Sequence, residues 1–515
     1  MDASHVVGLD IGTSSVKASV WDAAKEQIVL QLSEDYPASF DHQGQVRQDP
    51  EAIYEAVVGI LKNIVATLEK QASGFKSFIV VLDTALHSLL FLNKEMNPIS
   101  DIIPWMDTRA DAIAVDILRS KYCSEIHKRT GCPVDSVYPL YKIIWFAKND
   151  APLMNAVGKI AATKDYLLYR LTGEHVIDYS VASGSGCLET SKRTWADDLL
   201  LELAGVSSAK FPTVVSPSQV LKPVNNIKEI FKSYNSEITF QVGISDAAAS
   251  SIGTTCYDFD AFTISMGTSA AIRRMCKSPF NDSNVPNEGI WCYIVDEENY
   301  IIGMAMRSGG CVIDWWLKNF LQSNDYDEIT NALRSMLIHD QEMSTASMLP
   351  IFIPTVYGER VPRWIPDRAG AFIGFKGATT IYDATKSVIQ GIAFNLKRVF
   401  ESVKNYFNSH DNGSLGVVAT GGMCQIENWL GFLASVLNCS MTVRESKYDA
   451  SVGLIMFYLK DRASTVFKAM SANSCIVSPD RKISLHCNSA YSKWLNEMIS
   501  IEKNISTNYG LNYYL

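Results

Sequence analysis

The first 22 residues show a hydrophobic pattern that is typical of a β-hairpin. Val6 to Leu9 is a β-branched, apolar run that predicts a buried strand. After a polar stretch at 10–15, apolar and polar residues alternate from Val16 to Trp21, as they do in a strand with one buried face. The pattern therefore predicts two antiparallel strands that are joined by a polar tip.

The polar tip of this hairpin carries groups that suit a phosphate and its counter-ion. Asp10 places a carboxylate at the end of the first strand, and Gly12 lets the backbone come close to a ligand. Thr13 and Ser14 add hydroxyl and N–H groups. We interpret the tip as a phosphate loop in which Asp10 anchors a cation.

A second copy of the hairpin pattern occurs half a chain later. Phe262 to Arg273 aligns without a gap with Val7 to Ala18, so that the Gly-Thr-Ser tripeptide recurs at Gly267, Thr268 and Ser269. The aspartate is the exception, because a serine takes its place in the second copy. Gly-Thr-Ser is a common turn tripeptide, and coincidence is therefore the alternative to duplication.

The positions of the two hairpins predict how the chain is divided. They split the 515 residues almost evenly, which favours duplication into two domains, residues 1–250 and 251–515, that face each other across a cleft. Buried-strand patterns such as Phe78 to Leu82 alternate with helical patterns such as 50–68, and this alternation indicates an α/β fold. The helix-rich stretch 120–235 has the character of an insertion.

The composition narrows the classes of partner. A net charge of −9 without any block of like charge argues against nucleic acid and anionic membranes. The 11 cysteines include no C-x-x-C pair and no zinc-ligand spacing, which indicates reduced thiols. The N-terminus has no signal-peptide pattern, and no run is long and apolar enough to span a bilayer. We therefore predict a cytoplasmic protein that acts on small soluble molecules.

One further carboxylate stands where a strand gives way to a helix. The segment Thr239 to Ser250 predicts a strand that ends at Asp246 and a helix of small residues that begins there. For an isolated motif, an aspartate that caps the helix is the simpler interpretation. The alternative is a carboxylate that the helix N-terminus keeps ionised for catalysis.

Taken in chain order, these motifs resemble the FGGY family of carbohydrate kinases, which has an actin-like, ribonuclease-H-like duplicated fold. The resemblance extends roughly from Val6 to Tyr458 and implies two duplicated α/β domains that flank a catalytic cleft. The matching segments are DIGTS at 10–14, GQVRQDP at 44–50, His87, WMDTR at 105–109, GISDA at 243–247, Gly267-Thr268, GERVP at 358–362 and TGG at 420–422.

The resemblance implies an ATP-dependent sugar kinase in which Asp246 is the catalytic base and Asp10 and Asp246 hold Mg²⁺. The residues implied in nucleotide binding are Thr13, Ser14, Lys17, Gly267, Thr268, Gly309, Gly310, Gly421 and Gly422. The residues implied in sugar binding are His87, Ser88, Trp105, Asp107 and Arg109. Without the resemblance, His87 and Trp105 would be interpreted as core residues.

Four positions in the nucleotide-binding half depart from the family pattern, and they leave an altered nucleotide preference open. They are Arg307-Ser308 in place of a motif with Asn, Gln390 in place of Glu, Ala434-Ser435 in place of Ala-Asp, and Gly453-Leu454 in place of Gly-Ala.

The sequence predicts the type of reaction, but it leaves more than one sugar as the substrate. Segments 86–90 and 178–184 resemble gluconokinases, which makes D-gluconate the first prediction, with Arg109 or Lys142 as a cation for its carboxylate. D-xylulose is the runner-up, because xylulokinases share the histidine and the W-x-D-x-R pattern. An actin-like ATPase and a sugar sensor without turnover remain as alternatives from other classes. The sequence also leaves the oligomeric state open, a homodimer included.

Overall fold

The computed structural model has two α/β halves, and each half is built around one of the predicted hairpins. The structure describes residues 3–40, 44–71, 77–232, 237–280, 289–337, 349–362, 364–365, 368–408, 416–444, 447–470 and 474–509.

The strands in chain order are β1 (His5–Ile11), β2 (Ser15–Asp22), β3 (Gln27–Asp35), β4 (Ser39–Phe40), β5 (Val46–Arg47), β6 (Ser77–Thr84), β7 (Leu90–Leu92), β8 (Lys159–Ala161), β9 (Val176–Asp178), β10 (Leu188–Glu189), β11 (Thr194–Trp195), β12 (Thr213–Val215), β13 (Val220–Leu221), β14 (Glu237–Gln241), β15 (Ala261–Met266), β16 (Ala270–Cys276), β17 (Trp291–Ile294), β18 (Tyr300–Met306), β19 (Ile351–Ile353), β20 (Ala371–Ile373), β21 (Gly416–Thr420), β22 (Met441–Val443) and β23 (Cys475–Val477).

The α-helices in chain order are α1 (Pro50–Gln71), α2 (Asp111–Leu118), α3 (Tyr122–Thr130), α4 (Pro139–Asn149), α5 (Ala151–Ala156), α6 (Thr163–Thr172), α7 (Tyr179–Ser183), α8 (Asp197–Ala204), α9 (Asn225–Lys232), α10 (Asp246–Thr255), α11 (Gly310–Trp316), α12 (Asp327–Leu337), α13 (Ile381–Asn408), α14 (Trp429–Leu437), α15 (Asp449–Leu459), α16 (Ala463–Met470) and α17 (Arg481–Tyr509).

The two main sheets repeat one topology, which confirms the predicted duplication. The first sheet has the order β13-β14-β6-β1-β2-β3, and the second contains the corresponding order β23-β22-β21-β15-β16-β18, with β17 added at its edge. The relative directions agree as well: β1 and β15 each pair antiparallel with the next strand of their hairpin and parallel with β6 and β21. All residues of β1 are buried, because side chains from both faces of the sheet enter hydrophobic cores.

The hairpin tips differ by one residue. Ile11 pairs with Val16 in the first hairpin, whereas Met266 pairs with Ala270 in the second. The ungapped alignment of the two hairpin sequences therefore agrees with the structure for β1 and β15, but it is offset by one residue for the return strands β2 and β16. As a result, Arg273 occupies the position of Ser19 in the first hairpin.

The helix-rich stretch that was predicted as an insertion lies between two neighbouring strands. β6 and β14 pair directly and in parallel, although residues 85–236 separate them in the chain. Most of this intervening segment forms α2 to α9 together with short strands. It contributes the wall of the cleft on the side of the first domain.

The two halves meet through α10 and α15, which follow the equivalent strands β14 and β22. A Cβ atom at Gly253 would lie 2.0 Å from the carbonyl oxygen of Asp449, and one at Gly453 would lie 1.8 Å from that of Ala249. Glycine is therefore needed on both helices, because they approach each other at the distance of backbone atoms. The Gly453-Leu454 departure consequently lies at this helix crossing, where Leu454 is buried.

The segment after residue 462 was not predicted from the sequence. It forms α16, β23 and α17, and β23 extends the second sheet by pairing with β22. Trp494 of α17 is buried and donates its indole N–H to the carbonyl of Phe352 at 2.8 Å. Among the helices that the structure describes, none has the length and the apolar character needed to cross a membrane.

Candidate active site

Asp246 occupies the first turn of α10, but it does not cap the helix. The cap is Ser245, whose hydroxyl accepts a hydrogen bond from the N–H of Ala248 and also contacts the hydroxyl of Ser180 at 2.8 Å. The Asp246 carboxylate accepts a hydrogen bond from the N–H of Ala247 at 2.8 Å. Because Ser245 satisfies the helix end, the capping interpretation is wrong, and the half-buried carboxylate of Asp246 is available in the cleft.

Three carboxylates interact electrostatically in this part of the structure, namely those of Asp10, Asp83 and Asp246. Burial raises the pKa of Asp246 to about 6, with a further contribution from Asp10, while the Arg273 guanidinium opposes the rise. Burial also raises the pKa of Asp10, and a hydrogen bond with Asp83 and the charge of Lys17 oppose that rise. The helix N-terminus was expected to keep Asp246 ionised, and burial acts against this by raising its pKa. With a pKa of about 6, Asp246 is still mainly ionised at neutral pH.

Asp83 is the residue of this group that was not predicted as a site residue. It is fully buried, and its pKa is raised well above the usual range, first by burial and then by the charges of Asp10 and Asp246. Within the described parts of the chain, no N–H or O–H group donates to either of its oxygens. Only a proton shared with Asp10 or a bound cation can therefore satisfy this carboxylate. The available signal was its position at the end of a buried strand.

The carboxylates fit the requirements of Mg²⁺. Mg²⁺ prefers oxygen ligands and keeps several waters, so that one or two carboxylates and the substrate phosphates complete its shell. Among the described residues, no group of three His, Cys, Asp or Glu side chains is arranged to hold a metal ion unaided. The unpartnered oxygens of Asp83 and the buried carboxylate of Asp10 suit a cation that is shared with phosphate and water.

The first phosphate loop is held by side chains from two other segments. Gly12 donates its N–H to the carbonyl of Ser15 at 2.9 Å, which closes the tip. The amide of Gln48 donates to the carbonyl of Thr13 at 2.6 Å, and the indole N–H of Trp105 donates to the Thr13 hydroxyl at 3.2 Å. Ser14 is exposed at the tip. Trp105, which was predicted to bind sugar, thus contacts the phosphate loop directly.

The predicted nucleotide residues of the second half form one backbone cluster. Gly310 donates its N–H to the carbonyl of Gly267 at 2.8 Å, and a Cβ at Gly309 would lie 2.8 Å from the carbonyl oxygens of Gly267 and Thr268. Gly421 has a φ of +100°, and a Cβ there would lie 2.3 Å from the carbonyl oxygen of Met266. These glycines let the two segments that contain Gly309-Gly310 and Gly421 approach the backbone of the second loop.

The outer surface of this cluster is open to a ligand. Gly267, Thr268, Gly421 and Gly422 are exposed, and a Cβ at Gly422 would meet no atom within 4 Å. Exposed backbone groups at a glycine-rich loop suit contact with phosphates or with a nucleotide.

His87 stands at the centre of the predicted sugar side. Its Nδ1 contacts the carbonyl of Gly184 at 2.6 Å, which assigns the proton to Nδ1 and leaves Nε2 as an acceptor. Burial lowers the pKa of His87 to about 3, so the ring is neutral. The residue has a φ of +69°, an uncommon conformation for a non-glycine residue. The ring packs edge-on against Tyr138 and Tyr293 at centroid distances of 5.0 and 5.9 Å.

Tyr293 and Arg360 reach the sugar side from the second half of the chain, and the sequence analysis did not identify them individually. The hydroxyls of Tyr138 and Tyr293 lie 2.8 Å apart, and Nε of Arg360 donates to Oδ2 of Asp135 at 2.6 Å. Both contacts cross from one half to the other beside His87. Local sequence patterns carry no signal for them, because more than 150 positions separate the partners in each pair.

The remaining predicted sugar residues are engaged with protein groups. Arg109 forms two hydrogen bonds to the carboxylate of Asp107, at 2.8 and 2.7 Å, and Asp107 also accepts the N–H of Val46 at 2.9 Å. The Ser88 hydroxyl is buried and accepts the N–H of Thr163 at 3.0 Å. The structure therefore brings Asp107 and Arg109 together as a pair, and their contact with a sugar stays a prediction.

The departures from the family pattern have different structural settings. Arg307 donates to the carbonyl of Tyr357 at 3.3 Å. The Ser435 hydroxyl accepts the N–H of Asp480 at 3.0 Å, which ties α14 to the segment that precedes α17. Ser435 thus supports local packing.

Comparison with known proteins places these observations in a family. Residues 5–253 match the N-terminal domain of the FGGY family of carbohydrate kinases, and residues 262–459 match its C-terminal domain. The chain belongs to this family. Its fold is the actin-like, ribonuclease-H-like architecture of two α/β domains that the resemblance implied, and the family acts on a sugar and ATP.

Two relatives illustrate how this FGGY kinase compares in sequence. The gluconokinase of Bacillus subtilis (strain 168) is 27% identical over 460 residues, which cover 87% of this chain and 86% of the relative. The xylulose kinase of Staphylococcus xylosus is 25% identical over 456 residues, which cover 88% of this chain and 90% of the relative.

Solved structures of such kinases share the fold over the whole chain. The gluconate kinase from Lactobacillus acidophilus has a TM-score of 0.83 at 24% identity, covering 98% of this chain and 99% of its own. A ligand-bound xylulose kinase from Lactobacillus acidophilus has a TM-score of 0.82 at 24% identity, with the same coverage. At this level of identity, the likeness establishes the fold and leaves the sugar open.

Proposed function

We propose that this FGGY kinase transfers the γ-phosphoryl group of ATP to the terminal hydroxyl of D-gluconate, giving 6-phosphogluconate and ADP. The observation that carries the kinase chemistry is the carboxylate of Asp246. It stands free of the helix cap, has a pKa of about 6, and lies in electrostatic contact with Asp10 of the first phosphate loop. A base needs these properties to accept a hydroxyl proton near neutral pH.

The roles of the residues follow from their positions. Asp246 accepts the proton of the sugar hydroxyl as its oxygen bonds to the γ-phosphorus, and the bond from that phosphorus to the bridging oxygen of ADP breaks. Thr13, Ser14, Gly267 and Thr268 orient the phosphates with backbone and hydroxyl groups. Bound Mg²⁺ would neutralise phosphate charge, and Asp10 with Asp246 would hold it. Most of the catalysis is therefore positioning and charge stabilisation.

The assignment of gluconate is supported by the relatives. The gluconokinases of Bacillus subtilis and Bacillus licheniformis are 27% and 26% identical to this chain. D-xylulose is the second candidate, because several xylulose kinases are 21–25% identical over similar lengths. We take residues 1–250 as the domain that binds the sugar and carries the base, and residues 251–515 as the domain that binds most of the nucleotide.

The experiment that tests the proposal measures ADP release with MgATP and a panel of D-gluconate, D-xylulose, glycerol and L-ribulose. We expect D-gluconate to give turnover, and Asp246→Asn to lower kcat by about 10²–10⁴-fold, the usual contribution of a general base. Asp116→Asn is the matched control, because Asp116 is exposed on α2. Turnover of D-xylulose alone would replace the substrate, and unchanged turnover in Asp246→Asn would remove the proposed base.

A further inference from the structure

Arg273 carries a guanidinium group that has few polar partners among the described residues. It lies on β16, where it pairs with Thr263 on one side and with Gly303 on the other, and its side chain is half-buried. The equivalent position in the first hairpin, Ser19, contacts Ser451 of α15. By the same pseudosymmetry, the side chain of Arg273 faces α10, which begins at Asp246.

The guanidinium of Arg273 has only one direct polar partner among the described residues. Its Nη1 donates to the Ser265 hydroxyl at 3.3 Å, and its Nε is buried without an acceptor. No described carboxylate forms an ion pair with this guanidinium. A guanidinium in this position loses hydration without gaining an equivalent partner, and a ligand can supply that partner.

The groups around Arg273 belong to the sugar side of the cleft. Its charge is in electrostatic contact with Asp246, Tyr293 and Arg360. Tyr293 in turn lies against His87. Arg273 is therefore within electrostatic range both of the proposed base and of Tyr293, which packs against His87, so a ligand that contacts both of these residues can also reach Arg273.

Three other cations near the sugar side are engaged with protein groups. Arg360 donates to Asp135 at 2.6 Å, and Arg109 is paired with both oxygens of Asp107. Lys142 is fully buried and donates to three backbone carbonyls, one of them at 2.6 Å. Burial lowers the pKa of Lys142 to about 7. The two cations that the sequence suggested for a substrate carboxylate are therefore occupied, whereas Arg273 retains free donors.

We propose that Arg273 binds the carboxylate of a sugar acid and makes this kinase selective for aldonates over neutral sugars of the same length. The inference rests on the proposed function and adds the class of substrate, the aldonates, that the site selects. A guanidinium matches a carboxylate with two parallel hydrogen bonds, which neither a ketose nor an alditol can reproduce. Asp246 repels a carboxylate at its own position, so it favours the orientation in which the hydroxyl end of the chain meets the base.

The test compares D-gluconate with D-glucitol, which has the same carbon chain with a hydroxymethyl group in place of the carboxylate. Binding of each is measured by titration calorimetry for the wild type, Arg273→Gln and Arg273→Lys. We expect the dissociation constant of D-gluconate to rise about 10–100-fold in Arg273→Gln, in line with the loss of a charge-assisted hydrogen bond. We expect less than a threefold change for D-glucitol, and a smaller loss for gluconate in Arg273→Lys, which keeps the charge.

A matched control separates local from general effects. Arg334→Gln removes an exposed guanidinium on α12 that pairs with Glu427 at 3.3 Å, and it should change neither ligand. Thermal unfolding of each variant reports whether it folds. If Arg273→Gln does not fold, Arg273→Lys is compared with Arg273→Met instead. We then expect Arg273→Met, which lacks the charge, to weaken gluconate binding more than Arg273→Lys does.

The outcomes of this experiment distinguish a failure of the inference from a failure of the proposed function. Equal weakening of both ligands in Arg273→Gln would overturn the inference and assign Arg273 a general structural role, whatever sugar is phosphorylated. Unchanged binding with lost turnover on every sugar would also overturn it and point to a contact with the transferred phosphoryl group. If the wild type binds gluconate through Arg273 but phosphorylates only a different aldonate, the inference stands and the proposed gluconate reaction is wrong, whereas turnover of D-xylulose alone would contradict both.

Discussion

Asp10 and Asp83 are register partners on the neighbouring parallel strands β1 and β6, and their carboxylates therefore meet at the same edge of the first sheet. Two buried carboxylates in contact cannot both remain ionised without a counter-charge. The pKa values of Asp10 and Asp83 are both raised. A proton or a bound cation is therefore needed to balance the negative charge of these two carboxylates and of Asp246. This edge of the sheet therefore couples the binding of a cation to the stability of the fold.

The first prediction concerns Asp83. We expect Asp83→Asn to stabilise the metal-free protein by about 1–2 kcal/mol, because the amide is neutral without taking up a proton and can donate to Asp10. In the wild type, Mg²⁺ should raise the melting temperature, and in Asp83→Asn it should do so less. Thermal unfolding with and without Mg²⁺ checks both effects, and Asp116→Asn serves as the control. An equal Mg²⁺ response in both proteins would contradict a role of Asp83 at the cation.

The second prediction is that activity and stability respond to pH in opposite directions. Asp246 must be ionised to accept a proton, so kcat/KM, which reports the ionisation of the free enzyme, should rise about tenfold per pH unit below its pKa of about 6 and level off above it. A carboxyl whose pKa is raised in the folded state stabilises the fold at low pH, and that contribution is lost as the pH rises toward 6. The metal-free protein should therefore lose stability between about pH 4 and pH 6 while activity appears.

The measurement for this prediction is a pH series of kcat/KM beside urea unfolding without metal. Asp246→Asn should reduce the loss of stability between pH 4 and pH 6, because the amide does not titrate. Asp10 and Asp83 contribute a residual slope. A kcat/KM profile that is flat from pH 5 to pH 8 would show that the ionisation of Asp246 does not limit the reaction.

Local patterns predicted much of this fold, because they depend on short-range physics. The Gly-Thr-Ser tips, the buried strands and the helix at Asp246 follow from periodicity and turn chemistry within a few residues. The duplication followed from comparing two such patterns, and the paired sheets confirm it. The offset of the return strands escaped the alignment, because a turn shortened by one residue leaves the alternation of the strand intact.

Long-range relationships could not be predicted in the same way. The contact of Asp83 with Asp10 depends on the register of two strands about 70 positions apart, and the electrostatic interaction of Arg273 with Asp246 depends on how the two halves dock. Asp107 and Arg109 were predicted to bind the sugar from their residue types, and that role stays a prediction. The structure adds that the carboxylate and the guanidinium, two positions apart, also bind each other, which the sequence analysis did not foresee.

The third prediction separates two interpretations of Trp105. Its indole N–H donates to the Thr13 hydroxyl in the first phosphate loop, so we expect Trp105→Phe to raise KM for ATP about 3–10-fold. The KM for the sugar should change less, because the ring and its apolar contacts are largely kept. Steady-state kinetics with each substrate varied in turn check the effect. Trp494→Phe is the control, since it also removes one indole hydrogen bond, but in the core at α17. A rise in the sugar KM alone would instead favour the sugar platform that the family resemblance implies.

The last prediction concerns the helix crossing between the two halves. Gly453→Ala would place a Cβ 1.8 Å from the carbonyl oxygen of Ala249, which is backbone and cannot rotate away. The helices α10 and α15 must separate, and we expect a loss of at least about 1–3 kcal/mol in unfolding free energy. Because α10 carries Asp246 at its N-terminus, the same shift should lower kcat even where the protein remains folded. Gly377→Ala is the matched control, since a Cβ there meets no atom within 4 Å. Urea unfolding and kcat are measured on both variants, and equal stability of the two would mean that the helices have room to adjust.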